Sequence, residues 1–247
     1  MFDEKDKSWV ALCCPSPEAI EHSEPGQDKL GVIALDEGRI LILQADGVGS
    51  SYDAQNAAGR AVRLVGENGM MNLQHNLEEV GEDFRIWGNQ GGLAKPRADL
   101  PDLVIRAHNE NRIDQGTQTT FNQYLLNRES GNFLAYTLGD GYVSIVRANG
   151  NVERNSVGDH HARLTTRNGI EKIPAEFMGR LQDGDTLFIY SDGFDGIKDE
   201  QLVQTRDSII SGDQNATKTL LESQVEGLTR DDDRSLFVYT HHVKQVS

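Results

Sequence analysis

Three strongly apolar stretches of this chain each carry an aspartate at one end, and that placement limits what the chain can fold into more than any other feature. Asp46-Gly47 closes the run Ile40 to Ala45, Asp192-Gly193 closes the run Leu187 to Tyr190, and Asp232 stands directly before the run from Ser235. Runs this apolar read as strands buried on both faces, so their ends are where polar groups first become affordable. Asp-Gly by itself is an ordinary turn dipeptide, and the chain repeats it at Asp140, Asp183 and Asp195. The triplet Asp231 to Asp233, taken alone, reads as a solvated loop. If the strand ends converge, however, carboxylates from distant segments form a site for a hard divalent cation such as Mg²⁺ or Mn²⁺. Without such a cation, carboxylates that close would repel strongly.

The pattern between these stretches gives a coarse order of elements. Leu30 to Leu35 and Arg39 to Ala45, separated by Asp36-Glu37-Gly38, predict a hairpin. Apolar and small residues at 54, 57, 58, 61, 62 and 65 predict a helix, with Ser50, Ser51 or Asp53 as caps. Leu73, Leu77, Val80, Phe84 and Trp87 predict a second helix with one apolar face. Asn89 to Pro101 reads as a loop, followed by a short helix near Leu103 to His108. Thr117 to Leu126, Asn132 to Leu138, Tyr142 to Arg147 and Val152 to Asn155 predict an antiparallel meander with turns at Gly131, Gly139-Asp140-Gly141 and Asn149-Gly150. Residues 158–181 are irregular and polar and read as a flexible segment over a surface or site. A strand at Thr186 to Ser191, helices at Asp199 to Ile210 and Asn215 to Glu226, and a last strand at Ser235 to His241 complete the order. Hairpins with helical inserts predict an α+β fold of antiparallel sheets covered by helices, not a parallel α/β sheet.

Composition narrows the partners. With 24 Lys+Arg against 39 Asp+Glu, the 247-residue chain has a formal net charge of −15. That excess argues against nucleic acid or an anionic membrane as partner. No apolar run reaches the length of a membrane span, and the mixed-charge start Met-Phe-Asp-Glu-Lys-Asp-Lys is not a secretory leader, so a cytoplasmic location is expected. Cys13 and Cys14 are adjacent, which suits neither a mutual disulfide nor a zinc site. No repeat or composition break divides residues 1–247, which predicts one domain.

The ordered motifs resemble the metal-dependent PPM-type protein phosphatases, the protein phosphatase 2C family. Gly26-Gln27-Asp28 stands before a strand where the family has its first acidic motif. Ala45-Asp46-Gly47-Val48-Gly49 is similar to its Asp-Gly-x-Gly, and Thr137-Leu138-Gly139-Asp140-Gly141 to its Gly-Asp-Ser hairpin. The block Asp183 to Gly193 resembles its Gly-Asp, apolar strand and Ser-Asp-Gly, and Asp232-Asp233-Arg234-Ser235 its terminal Asp-Asn/Asp-x-Ser/Thr. The resemblance spans about residues 8–242.

It implies a four-layer α-β-β-α sandwich with two Mn²⁺ or Mg²⁺ ions at one edge. Asp46 would bridge both ions, Asp192 and Asp232 would complete the first, and the carbonyl of Gly47 would belong to the second. Asp28 would orient metal-bound water from behind, and Asp140 is a candidate for a third ion. The implied activity is hydrolysis of phosphoserine and phosphothreonine by a hydroxide bridging the metals, on a phosphoprotein substrate and in opposition to a Ser/Thr kinase. No covalent nucleophile is required, and the chain has neither a Cys-x5-Arg loop nor a Gly-x-Ser-x-Gly elbow. His22, His160 and His161 are the available imidazoles, each reading as a surface loop residue rather than as the general acid.

Two positions depart from the family pattern. Ser23 stands where members carry a phosphate-gripping Arg, and Gln27 where many have a metal-linked Glu. A neutral Ser does not replace a bidentate guanidinium on a dianion, which leaves Lys29, Arg163 and Arg167 as candidate substitutes. The alternative to an active phosphatase is a phosphatase-like regulatory binding protein that turns over poorly or not at all. Residues 158–181 fall where the family has a variable flap.

Overall fold

A computed structural model of the chain describes residues 8–21, 26–36, 38–48, 51, 53–68, 72–91, 116–159, 161–212 and 232–242. Its frame is a pair of five-stranded antiparallel sheets. In one sheet, β2 (Lys29–Ala34) and β3 (Arg39–Ala45) form the predicted hairpin, joined by β5 (Phe121–Asn127), β6 (Asn132–Leu138) and β11 (Ala175–Arg180) in the order β11-β6-β5-β3-β2. The other runs β1-β13-β12-β7-β8, from β1 (Trp9–Cys14), β7 (Gly141–Val146), β8 (Val152–Val157), β12 (Thr186–Tyr190) and β13 (Arg234–Thr240). A third, small sheet contains β4 (Gln118–Thr119), β9 (Leu164–Thr165) and β10 (Gly169–Ile170).

Alternation along the central strands explains why they are apolar throughout. Ile40 and Ile42 of β3 pack between the sheets with Leu187 and Ile189 of β12 and with Phe237 and Tyr239 of β13. Their neighbours Leu41 and Leu43 face the opposite way, onto α2 (Ala54–Asn68) and α3 (Leu73–Gly91). Phe188, Leu236 and Val238 likewise face α4 (Asp199–Ile210), whose Leu202 and Ile209 are buried against them. Each central strand therefore buries both faces, and the layers run helix, sheet, sheet, helix. Small residues Ala57, Ala58 and Ala61 allow α2 to lie close on β3. Ile42 is completely buried between the sheets. Ile42→Val should lower the unfolding free energy by about 1 kcal/mol, the usual result of deleting one buried methylene; urea denaturation with an unchanged m-value checks it.

The predicted meander is corrected. The strands β5 and β6 pair with each other, but β7 pairs with β8 and β12 in the other sheet. Gly139-Asp140 is thus a crossing between sheets rather than a hairpin turn. The crossing is tight: Gly139 has φ +117°, and a Cβ there would lie 2.6 Å from Thr120 Cβ. Residues 158–181, read as irregular, carry β9, β10 and β11: the first two are two residues long, too short for alternation to show, and β11 is an edge strand with no fully buried residue. The helix α3 continues to Gly91, past the start of the predicted loop, and Thr120 divides the predicted strand 117–126 into β4 and β5. The strand β1 and the short helix α1 (Pro17–Glu21) had no clear sequence signal. The helices expected near 103–108 and 215–226 lie outside the described residues. No described helix is long and apolar enough to cross a membrane.

Candidate metal centre

The ends of β3, β12 and β13 meet at one edge of the sandwich. Lys29 pairs with Ala45 across β2 and β3, so the next residues along, Asp28 and Asp46, are brought opposite each other. Asp46 is fixed by its backbone: its N–H donates to Thr120 Oγ1 at 2.9 Å, and its carbonyl accepts from Thr119 Oγ1 and Thr120 N, both at 2.8 Å. On the other sheet, Ser191 N–H donates to the Ser235 carbonyl and Ser235 N–H to Ser191 Oγ, both at 3.0 Å, which holds the start of β13 beside Asp192. The Asp233 carboxylate accepts from the backbone N–H of Ser16 at 2.5 Å and from that of Gln27, tying the start of β13 to the loop before β2.

The glycines separate these aspartates from ordinary turns. Gly184 and Gly196, after Asp183 and Asp195, have φ of +80° and +96°, the backbone that turn glycines supply. Gly47 and Gly193 are not of that kind. A Cβ on Gly47 would sit 2.8 Å from the Ala54 carbonyl, and one on Gly193 would sit 2.1 Å from the Asp233 carbonyl oxygen. There, glycine permits close approach, of the start of α2 at Gly47 and of the cleft residue Asp233 at Gly193.

Asp46, Gly47, Asp140, Asp192 and Asp232 all line a cleft of about 400 Å³, together with Ser16, Gln27, Val48, Thr120, Arg163 and Asp233. Asp28 is buried and lies outside the cleft wall. His161 is exposed and does not line the cleft, while His22, Ser23 and His160 lie outside the described residues. Ser16, Thr120 and Asp233 were not singled out from sequence as site residues. For Thr120 the available signal was the Thr-Gln-Thr-Thr run at 117–120, which resembles strand composition and no known ligand pattern.

Electrostatics show how strained the carboxylates of this cleft are. Burial pushes the Asp28 carboxyl up to about 6, with hydrogen bonds from the Ser191 and Ser235 hydroxyls acting in the lowering direction. Asp46 is held well above the usual carboxylate range, first by burial and then by the charges of Asp28, Asp192 and Asp232. Asp28 Oδ2 is buried with no hydrogen-bond donor in the protein. Among the described residues, no three of these side chains close on a single point as the ligands of one ion do. The donor set fits a hard dication nonetheless. It is all oxygen and anionic, with an orphaned carboxylate oxygen on buried Asp28 and neighbouring carboxylates whose repulsion a cation would relieve.

Fold and cleft together define a class: two antiparallel sheets between helices, with carboxylates gathered at one edge. The profile described as Protein phosphatase 2C matches residues 17–227. The chain belongs to the protein phosphatase 2C family, whose members are metal-dependent phosphatases acting on phosphoproteins. Solved structures share the fold. A bacterial serine phosphatase superposes with a TM-score of 0.67 at 12% identity, covering 96% of this chain and 99% of that one. The S. agalactiae serine/threonine phosphatase gives 0.63 at 16% identity, covering 95% and 98%. RsbX, crystallised with magnesium, gives 0.58 at 12%, covering 93% and 92%. No curated protein matches the chain in sequence.

Proposed function

We propose that the chain, as one phosphatase-like domain over residues 1–247, is a Mn²⁺- or Mg²⁺-dependent phosphatase of phosphoserine and phosphothreonine proteins. The observation that carries this reading is the buried Asp28 set directly behind Asp46, which shares the cleft wall with Asp140, Asp192 and Asp232. Asp46, Asp192, Asp232 and the Gly47 carbonyl would hold two ions, and Asp140 a third. Bound there, divalent cations supply the Lewis acidity that ionises water near neutral pH and neutralises phosphoryl oxygens. The chain's own groups do the positioning. Thr119 and Thr120 fix the backbone of Asp46, Asp233 pins the loop carrying Gln27, and the unpartnered Asp28 Oδ2 would orient water from behind. Exposed His161 is not placed to protonate the leaving alkoxide. A cytoplasmic role opposing a Ser/Thr kinase follows from this reading.

Gln27 lines the cleft as a neutral amide, and that favours a second reading, a regulator that keeps the metal centre and turns over poorly. Assays of an aryl phosphate and a phosphothreonine peptide, with and without Mn²⁺, separate the two. The expected result is Mn²⁺-dependent hydrolysis that drops about 100-fold or more in Asp192→Asn, since each ion contributes several kcal/mol to the transition state. No hydrolysis with metal, or no change on substitution, would sink the enzyme reading. Metal binding without turnover would leave the regulator.

A further inference from the structure

We propose that Arg163 is the group that grips the substrate phosphate in this cleft, an inference that rests on the phosphatase reading. The cleft wall carries Asp46, Asp140, Asp192, Asp232 and Asp233, and among the described residues Arg163 is its one cation. A phosphomonoester dianion entering beside five carboxylates needs a fixed positive group as well as bound metal.

The small sheet delivers that group to the site. Gly47, in the cleft wall, bridges to Thr119 of β4, and Thr119 pairs with Leu164 of β9, the residue after Arg163. The Arg163 carbonyl accepts from Glu171 N–H at 3.2 Å, and the preceding Ala162 is buried, with its N–H bonded to the Asp159 carbonyl at 2.8 Å. The backbone at 163 is therefore built into the same small sheet whose Thr119 holds Asp46. A 3.8 Å approach links Arg163 Nη1 to Asp140 Oδ1, and the same nitrogen donates to the Ala162 carbonyl at 2.7 Å. At 3.8 Å the carboxylate is beyond hydrogen-bond range. Guanidinium has five N–H donors in a planar fork, so the Ala162 bond leaves donors for a phosphoryl group. The side chain is only 19% exposed, where such a bond is screened little by water.

The other two candidate cations are placed differently. The Lys29 ammonium donates to the backbone carbonyls of Gly26 and Asp28 and does not line the cleft. Arg167 is exposed in the turn between β9 and β10, also off the cleft wall.

The test uses the Mn²⁺-loaded full chain with two readouts: steady-state hydrolysis of a phosphothreonine peptide, and direct calorimetric binding of inorganic phosphate. Arg163→Ala should raise KM and the phosphate dissociation constant about 10- to 100-fold, the usual effect of losing a charge-assisted hydrogen bond, with kcat changed much less. Arg163→Lys should recover part of the affinity, because it restores charge but not the fork. Arg167→Ala should leave both unchanged. If wild type binds phosphate without turning over and Arg163→Ala loses that binding, Arg163 keeps its assignment while the enzyme reading falls. Equal phosphate affinity in wild type and Arg163→Ala, or no phosphate binding by wild type, overturns the assignment. Should Arg163→Ala melt below wild type, Arg163→Gln, which preserves the buried stem, carries the same comparison.

Discussion

Asp46→Asn is expected to raise the melting temperature of the metal-free protein while removing nearly all metal-dependent turnover. The two effects have one cause. Asp46 lies on the cleft wall among the charges of Asp28, Asp192 and Asp232, all of which oppose its ionisation. The amide keeps the shape of the carboxyl, removes its charge and can still donate to Asp28, with which the Asp46 side chain shares a hydrogen bond, while the backbone bonds of residue 46 are untouched. The substitution therefore relieves repulsion without breaking the Thr119 and Thr120 contacts. Stabilising changes of this kind commonly contribute 0.5 to 2 kcal/mol, which for a chain of this length is about 1–8 °C. Activity should fall about 1,000-fold or more, because Asp46 is proposed to serve both ions and their joint effect on the transition state is several kcal/mol. Calorimetry in EDTA and a Mn²⁺ titration of the phosphothreonine assay measure the two effects. A lower metal-free melting temperature would show that Asp46 is a structural residue, and retained turnover would remove it from the metal centre.

Much of the frame was legible because burial on both faces leaves a dense apolar signal. The strand β3 and helix α4 run over the residues expected, and the Asp46 and Asp192 strand ends do face one cleft. What sequence could not show depends on long-range pairing. Nothing in Gly139-Asp140-Gly141 tells a hairpin from a crossing, since the choice lies in whether β7 finds β6 or β12 as its partner. The strand β1 was missed because it is an edge strand with only partial burial, which leaves weak alternation. The same limit applied to the phosphate contact. Lys29, Arg163 and Arg167 were equivalent until β9 folded back on β4 and put Arg163 alone on the cleft wall. Gly47 and Gly193 were also indistinguishable from turn glycines, because a steric need for close approach involves residues far away in sequence.

Mn²⁺ should stabilise the protein strongly at pH 7.5 and weakly at pH 5. The metal-free chain alone fixes the sign. Asp28 is raised from near 4 to about 6, and Asp46 is raised as well, so between these values the folded state binds more protons than the unfolded state. Stability from these two groups is then fully present below about 4 and is lost as pH rises through about 6, with Asp46 extending the loss upward. Asp36 and Asp159 are shifted the other way, by Arg39 and Lys172 respectively. Their contributions are present above the unfolded value and vanish only below it, outside the window from 5 to 7, whereas His241, lowered by burial, favours the fold as pH rises through that window and partly opposes the two carboxyls. A metal that needs ionised carboxylates competes with protons across that same window. At a hundredfold excess over its dissociation constant, Mn²⁺ should add about 2.7 kcal/mol, or roughly 5–10 °C, at pH 7.5. Melts in EDTA and in Mn²⁺ from pH 4.5 to 8 test both halves. A metal shift of equal size at pH 5 and 7.5 would mean that these carboxylates are not where the ion binds. If instead the shift shrinks on acidification and the metal-free slope flattens in Asp46→Asn, the acid cluster is both the source of the instability and the seat of the metal.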